Sequence, residues 1–309
     1  MAKVFITGIT GFLGSNIARV LINNGHNIMA TRRDSSSLTL CADYVNSVSW
    51  VDQDANGKWI DLVSAELPEV IIHSAWIGVG HAERNDWDSQ YQNVNYLNQV
   101  LSIAKASRSA KFIGLGSQAE YGTFNGMVTE NHPVNPTEAY GGMKVICSSI
   151  VNQFCKYHQI DWYWLRLFSF FGKGESDNWL IPAMVKRMQT ETEMDFTPGE
   201  QKYAYLFVDD LGLAINNIIL AKENSGIYNI SGKKLLTLKY LIESIRNKVN
   251  NSFQLNFGAL PYRANQSMHM QGDSAMFVKA FGEFDVSDFD NALADTIEYL
   301  KLRFSEKSK

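Results

Sequence analysis

Val4–Gly14 reads VFITGITGFLG. Apolar β-type sequence runs into Thr7-Gly8, glycines recur at Gly11 and Gly14, and a helical spacing of Phe12, Leu13, Ile17, Val20 and Leu21 begins there. A strand, a glycine-rich turn and a helix in that order make a phosphate site. One glycine permits the tight turn, one lets backbone approach a pyrophosphate, and one lets the helix pack on the strand. The bound charge would rest on the free N–H groups and positive dipole end of the helix. The spacing is Gly-x-x-Gly-x-x-Gly, one residue longer than the general fingerprint, and a glycine-rich turn without a ligand is the alternative reading. Gly8, Thr10, Gly11, Phe12, Leu13 and Gly14 are the candidate cofactor contacts here.

The next junction bears on which dinucleotide is bound. Gly25 ends the helix, and Asn27–Arg32 (NIMATR) reads as the second strand. A carboxylate near this strand's end would hold a ribose 2′-hydroxyl; the sequence instead carries Arg32 and Arg33, whose guanidinium groups suit a 2′-phosphate. NADP is therefore expected over NAD, with a solvated basic turn as the bland reading. Val48–Val51 is a short strand with Asp52 at its end, within reach of an adenine edge, and Trp59–Glu66 is a short helix. Glu69–Ala75 (EVIIHSA) is the nearly continuous apolar run of a parallel strand covered on both faces. Ser74, Ala75 and Trp76 at its carboxyl end are expected to line the cofactor, and His73 to be a packed strand residue.

The loop Ile77–Asp86 borders the substrate side, a helix follows from about Trp87 to Ala106, and Lys111–Leu115 is the fifth strand. A further helix runs from about Glu138 to Tyr157, with Tyr140 and Lys144 four apart on one face near its start and Ser117 just past the fifth strand. Thirteen tyrosines make a chance Tyr-x-x-x-Lys ordinary, so placement carries the weight. A free tyrosine has a pKa of ~10. A lysine ammonium one turn away is expected to favour the phenolate and bring it towards neutral pH. Ser117 would hydrogen-bond a substrate oxygen while Tyr140 gives or takes its proton, the acid–base half of carbonyl–alcohol interconversion.

In order, Thr7-Gly8-x-x-Gly11-x-x-Gly14, Ser117…Tyr121-Gly122 and Tyr140-x-x-x-Lys144 resemble the extended short-chain dehydrogenase/reductase family, in its nucleotide-sugar epimerase/dehydratase branch. Leu165-Arg166-Leu167-Phe168-Ser169, Val208-Asp209-Asp210 and Tyr228-Asn229-Ile230-Ser231-Gly232 extend the resemblance over nearly the whole chain. The resemblance implies a Rossmann-type doubly wound parallel α/β sheet spanning residues 1–170 and receiving parts of about 205–232. It also implies a smaller, interleaved C-terminal α/β substrate-binding domain, mainly 171–309, and a homodimer through the two long helices. Tyr140 would be the acid/base, Lys144 would also hold the nicotinamide ribose, and Ser117 would orient the sugar carbonyl. Asn93 and Phe168 fall among expected cofactor contacts, and Ser117, Gln118, Ser169 and Arg263 among those to a nucleotide-diphosphate sugar.

The departures narrow the expectation. The 4,6-dehydratases of this branch place Asp-Glu after the hydroxyl residue; this chain has Gln118-Ala119, which speaks against dehydration. Ser169 replaces the asparagine that contacts substrate phosphate, and Tyr203-Ala204 replaces Arg-Asp, so Arg263 or Lys202 would have to compensate. An NADP(H)-dependent reductase of a nucleotide-linked 4-keto-6-deoxysugar fits best. A nucleotide-sugar 4-epimerase is the alternative, and a non-catalytic dinucleotide sensor is weaker because Tyr140 is present.

Bulk properties agree. A chain of 309 residues with 45% hydrophobic content can bury a large core, and a net charge of −4 gives no reason to expect nucleic acid. No apolar run reaches transmembrane length, and Cys41, Cys147 and Cys155, widely spaced and odd in number, suit a reducing, cytoplasmic setting. No metal-ligand spacing appears. Asp209-Asp210 reads as a helix N-cap, Trp162-Tyr163-Trp164 as buried strand, and Met268-His269-Met270 carries no reading.

Overall fold

Alternation within apolar strands divides the core. In the computed structural model, which describes residues 1–54, 56–80, 82–222, 225–264 and 266–306, Val4 and Ile6 face one side of the first strand and Phe5 the other. The first half of the chain runs β1 (Lys3–Thr7), α1 (Phe12–Asn23), β2 (Asn27–Arg32), β3 (Val48–Asp52), α2 (Lys58–Ala65), β4 (Val70–His73), α3 (Trp87–Ala106), β5 (Lys111–Ser117), β6 (Gly126–Val128) and α4 (Ala139–His158). It continues through β7 (Asp161–Leu167), β8 (Ser169–Phe171), α5 (Leu180–Arg187), β9 (Glu193–Phe196), β10 (Lys202–Phe207), α6 (Val208–Leu220) and β11 (Gly226–Ile230). The remainder is β12 (Leu235–Thr237), α7 (Leu238–Val249), β13 (Gln254–Phe257), β14 (His269–Gly272), α8 (Ala275–Phe281) and α9 (Phe289–Glu306).

The main sheet is seven-stranded and parallel, in the order β11-β7-β5-β4-β1-β2-β3. Successive connections run outward in opposite directions from β1 and β4, which leaves a crevice at their carboxyl ends. On one face Ile6, Ala30, Ile72, Ile113 and Leu165 pack under α1 and α6. On the other Phe5, Ile71, Phe112, Trp162 and Trp164 pack under α3 and α4. This is the doubly wound α/β architecture, with Trp162-Tyr163-Trp164 buried in β7 and β11 returning to the sheet beside it.

After β8 the chain builds a second body, in which α5, α7 and α9 enclose Ile181, Met184, Leu241, Ile245, Leu293 and Leu300. A smaller sheet, β12-β10-β14-β6 with β8 against β10, lies between this body and the carboxyl side of the main sheet. His269 and Met270 belong to it, as the start of β14, and Met268 just before them accepts the Lys202 N–H at 2.8 Å. Asp209 and Asp210 depart from the N-cap expectation: Phe207 holds that position, and both carboxylates lie in the first turn of α6. Asp210 instead accepts hydrogen bonds from the Ser287 hydroxyl at 2.8 Å and its N–H at 3.3 Å, tying the chain before α9 to the start of α6; burial raises its pKa to about 6. Among the described residues, no helix is long and apolar enough to cross a membrane.

Candidate active site

The glycines of the β1–α1 turn do three different things. Gly8 has φ +71°, and a Cβ there would meet Ala75 backbone at 2.7 Å, so β1 and the end of β4 meet across it. A Cβ on Gly14 would come within 2.2 Å of the Gly8 carbonyl oxygen, which fixes how closely α1 packs. Gly11 is exposed, and a Cβ there would find only that same oxygen, at 3.4 Å. The open side of the turn lies above Gly11, at the N-terminus of α1. No side chain caps this helix and no carboxylate lies in its first turn, so its N–H groups and positive dipole end remain available to an anion. This cradle fits a dinucleotide pyrophosphate, with half-buried Thr10, Phe12 and Leu13 at its rim.

Beneath the turn the Thr7 hydroxyl bridges the His73 Nδ1 at 3.0 Å and the Ala75 N–H at 3.3 Å. Burial, then the nearby Lys144 charge, lowers the His73 pKa to about 3, so this ring stays neutral and serves packing. Ser74, Ala75 and Trp76 follow at the carboxyl end of β4, half-buried, facing the crevice.

The adenosine end differs from expectation. Arg32 and Asp52 are register partners on β2 and β3 and pair with each other, Nε to Oδ1 at 2.7 Å, with the guanidinium 5.6 Å from the Trp50 ring centroid. Adjacent parallel strands that end in register bring their last residues together, a pairing the sequence alone did not display. Arg33 is exposed and in no ion pair among the described residues.

Ser117, Tyr140 and Lys144 converge, all more than nine-tenths buried. Ser117 ends β5 and caps the turn Gln118–Tyr121, its hydroxyl accepting the Ala119 N–H at 3.2 Å. Lys144 Nζ donates to the Leu115 carbonyl at 2.6 Å and stands 3.5 Å over the Trp76 ring, but 5.7 Å from the Tyr140 ring. Burial lowers the Lys144 pKa to about 7, against the opposing fields of Cys147 and Glu120. Burial also raises the Tyr140 pKa above the usual phenol value, while a hydrogen bond with Ser117 and the Arg84 charge pull it down and Glu120 and Glu138 push it up. A second cation, Arg84, thus stands beside the phenol. Arg84 lies 4.3 Å over the Tyr140 ring and pairs with Glu138 at 2.5 Å. Sequence reasoning passed over Arg84 because it sits in an irregular loop; only a position fixed relative to α4 gives it meaning.

Other expected contacts are placed elsewhere. Asn93 is buried, with both ends of its amide engaged by the Ile77 backbone, N–H at 2.8 Å and C=O at 3.1 Å, so it holds the loop rather than presenting a free group to a cofactor. Phe168 packs with Tyr121 and Phe124, ring centroids 6.3 and 6.2 Å away. Gln118 is half-buried beside Ser117. Ser169 opens β8 against Tyr205 of β10, and Arg263 is exposed in the loop before β14, near Tyr203. Asn229 ties down the β5–α4 connection: its side chain accepts from the Tyr121 hydroxyl at 2.7 Å and donates to the Val128 carbonyl at 3.0 Å, and its N–H meets Glu130 at 2.8 Å. No cluster of metal-ligating side chains occurs among the described residues.

A family model described as "NAD dependent epimerase/dehydratase family" matches residues 4–231. A relative from Aggregatibacter actinomycetemcomitans, dTDP-6-deoxy-L-talose 4-dehydrogenase (NAD(+)), is 25% identical and covers 87% of this chain and 99% of its own. CDP-abequose synthase from Salmonella muenchen is 24% identical over 90% of this chain and 91% of its own. Among solved structures, UDP-N-acetylglucosamine 4-epimerase from Methanobrevibacter ruminantium, in complex with UDP-N-acetylmuramic acid, superposes with TM-score 0.85 at 20% identity, covering 98% of this chain and 99% of that one. A dTDP-glucose 4,6-dehydratase from Streptomyces venezuelae, with NAD bound, gives 0.83 at 18% identity, covering 98% of each chain.

Proposed function

The chain belongs to the NAD dependent epimerase/dehydratase family, and on that premise we propose that it is an NADP(H)-dependent reductase of a nucleotide-linked 4-keto-6-deoxysugar. It is an NAD(P)-dependent enzyme of the extended short-chain dehydrogenase/reductase type, and its relatives act on sugar nucleotides. The observation that carries the reductase reading is that, among the described residues, no free carboxylate stands beside Ser117. Gln118 and Ala119 follow it, Glu120 is fully buried against Arg166 at 2.8 Å and Trp164 at 2.8 Å, and Glu138 is held by Arg84. The site therefore has a proton donor and an oxygen-orienting hydroxyl, and no second base for removing water.

Bound reduced nicotinamide supplies a hydride. The Ser117 hydroxyl donates a hydrogen bond to the carbonyl oxygen and fixes its direction. Tyr140 gives its proton to that oxygen as negative charge develops there, leaving a phenolate beside Arg84 that solvent reprotonates. Lys144, held by the Leu115 carbonyl and the Trp76 face, would hold the nicotinamide ribose. A relative whose name pairs a 6-deoxysugar nucleotide with chemistry at carbon 4 supports this substrate class.

The test is loss of reduced-nicotinamide absorbance with purified protein and a panel of nucleotide 4-keto-6-deoxysugars. Stoichiometric consumption of NADPH, much faster than of NADH, is expected. The Arg32–Asp52 pair favours a second reading, an NAD-linked sugar 4-epimerase, because it engages one of the two arginines expected to hold a 2′-phosphate. Interconversion of sugar epimers without net oxidation, with NAD released on denaturation, would establish that instead. Tyr91, Ile146 and Tyr157 are exposed on α3 and α4, and we assign this face to a homodimer contact, which sedimentation of the purified chain would test.

A further inference from the structure

The described residues between β4 and α3, 74–80 and 82–86, form an irregular segment, yet it is wired at both ends. Near β4, Gln90 is fully buried: its Oε1 accepts from Trp76 Nε1 at 2.9 Å, and its Nε2 donates to the Gly78 carbonyl at 2.7 Å and the Glu83 carbonyl at 3.3 Å. Asn93 holds Ile77 as described. At the far end the Tyr140 N–H donates to the Arg84 carbonyl at 2.8 Å, and the Ala139 N–H to Asn85 Oδ1 at 3.1 Å. Two of the orphan N–H groups at the start of α4 are therefore satisfied by this loop, not by a side chain of α4. The result is a bracket: Trp76 lies against Lys144, and Arg84 lies over Tyr140.

We propose that this segment is a fixed clamp on the acid/base pair, in which Arg84 is the positioning residue that holds Tyr140 and supplies the cation against which its charge develops. The proposal rests on the reading of Tyr140 as the proton-transfer group. The charged and titratable groups around that phenol come from several elements. Ser117 reaches it from β5, Glu120 from the following turn, Glu138 from the N-cap of α4, Lys144 from α4, and Arg84 from the clamp. The two carboxylates both oppose phenolate formation, and each is tied to an arginine, Glu120 to Arg166 and Glu138 to Arg84. Removing Arg84 therefore takes away one cation and also frees the Glu138 charge beside Tyr140. A guanidinium stacked on a ring is favoured further as the ring becomes electron-rich, and its planar geometry is one that lysine does not reproduce.

The test compares the native chain with Arg84→Gln and Arg84→Lys, each with and without Tyr140→Phe. Ultraviolet titration of cofactor-free protein isolates the component that Tyr140→Phe removes. It is expected at higher pH in Arg84→Gln than in the native chain, with Arg84→Lys between them. In alcohol oxidation the acidic limb of kcat should move the same way, costing about tenfold at neutral pH for each pH unit of displacement, with KM changed little. Unchanged titration and an unchanged limb in a folded Arg84→Gln protein would overturn the proposal and leave the catalytic reading standing. A fall in kcat that higher pH does not restore would likewise reject it in favour of a structural role. Turnover surviving Tyr140→Phe would instead remove the catalytic reading, while the cofactor-free titration still decides the clamp. If Arg84→Gln does not fold, Arg84→Lys alone decides, by displacement or its absence.

Discussion

The two glycines at the mouth and base of the β1–α1 turn separate binding from folding. Gly11 has φ −92° as the N-cap of α1, a conformation open to alanine, and its added Cβ meets nothing closer than 3.4 Å. The loss of a good N-cap residue costs about 1 kcal/mol, and reduced freedom of the unfolded chain returns about 0.4–1 kcal/mol. Gly11→Ala should therefore leave the unfolding midpoint within about 2 °C of the native value. The methyl would, however, stand where the pyrophosphate approaches the helix N-terminus. Losing one charge-assisted contact of about 1.5–3 kcal/mol weakens cofactor binding by about 10- to 150-fold. Gly14→Ala places its Cβ 2.2 Å from the Gly8 oxygen and 2.7 Å from the Gly8 carbonyl carbon, all backbone, so strand and helix must part. Overpacking of that kind costs about 1–3 kcal/mol, and its signature is a lowered midpoint. Thermal unfolding and calorimetric titration with NADPH and NADH read both variants. Native affinity in Gly11→Ala would falsify the cradle, and a Gly11→Ala protein as unstable as Gly14→Ala would refute the account of open space above it.

Tyr140→Phe should lower kcat by about 10²- to 10⁴-fold while cofactor affinity, read by calorimetry, is retained. Glu120→Ala strands the Arg166 guanidinium in the interior and deprives Trp164 Nε1 and the Ser117 N–H of their acceptor. A loss of about 3–5 kcal/mol is expected, lowering the midpoint on the order of 10 °C in a thermal scan. Glu175 is buried, its Oε2 has no partner among the described residues, and burial raises its pKa to about 8. The folded chain then binds more protons than the unfolded chain between the usual carboxylate range and pH 8, so stability falls as pH rises through that window. Glu175→Gln should raise the midpoint at pH 8 and change it little at pH 4; an unchanged pH profile would refute the assignment. Arg33→Ala should weaken NADPH more than NADH, and equal weakening of both would remove its 2′-phosphate role.

The strand–turn–helix at the N-terminus, the continuous apolar run of a buried parallel strand and the i, i+4 spacing of Tyr140 and Lys144 were legible because each is local. Periodicities of 2 and 3.6 and the steric demands of glycine act within one or two elements, so they made individual strands, helices and the glycine turn legible, and the resemblance carried by those motifs implied the doubly wound sheet with a serine, tyrosine and lysine at its carboxyl edge. What it left open depends on partners distant along the chain. Arg32 meets Asp52 through strand register, Arg84 meets Tyr140 because buried Gln90 and Asn93 fix an irregular loop, and Asn93 is used up in doing so. Asp210 finds Ser287 77 residues away, not the helix end beside it. The short strands β6, β8, β12 and β14 have three or four residues each and form only where a neighbouring edge completes their hydrogen bonds. Local motifs and the resemblance they carry thus named the chemical groups, whereas the charges set around the phenol follow from long-range packing, which only the tertiary structure decided.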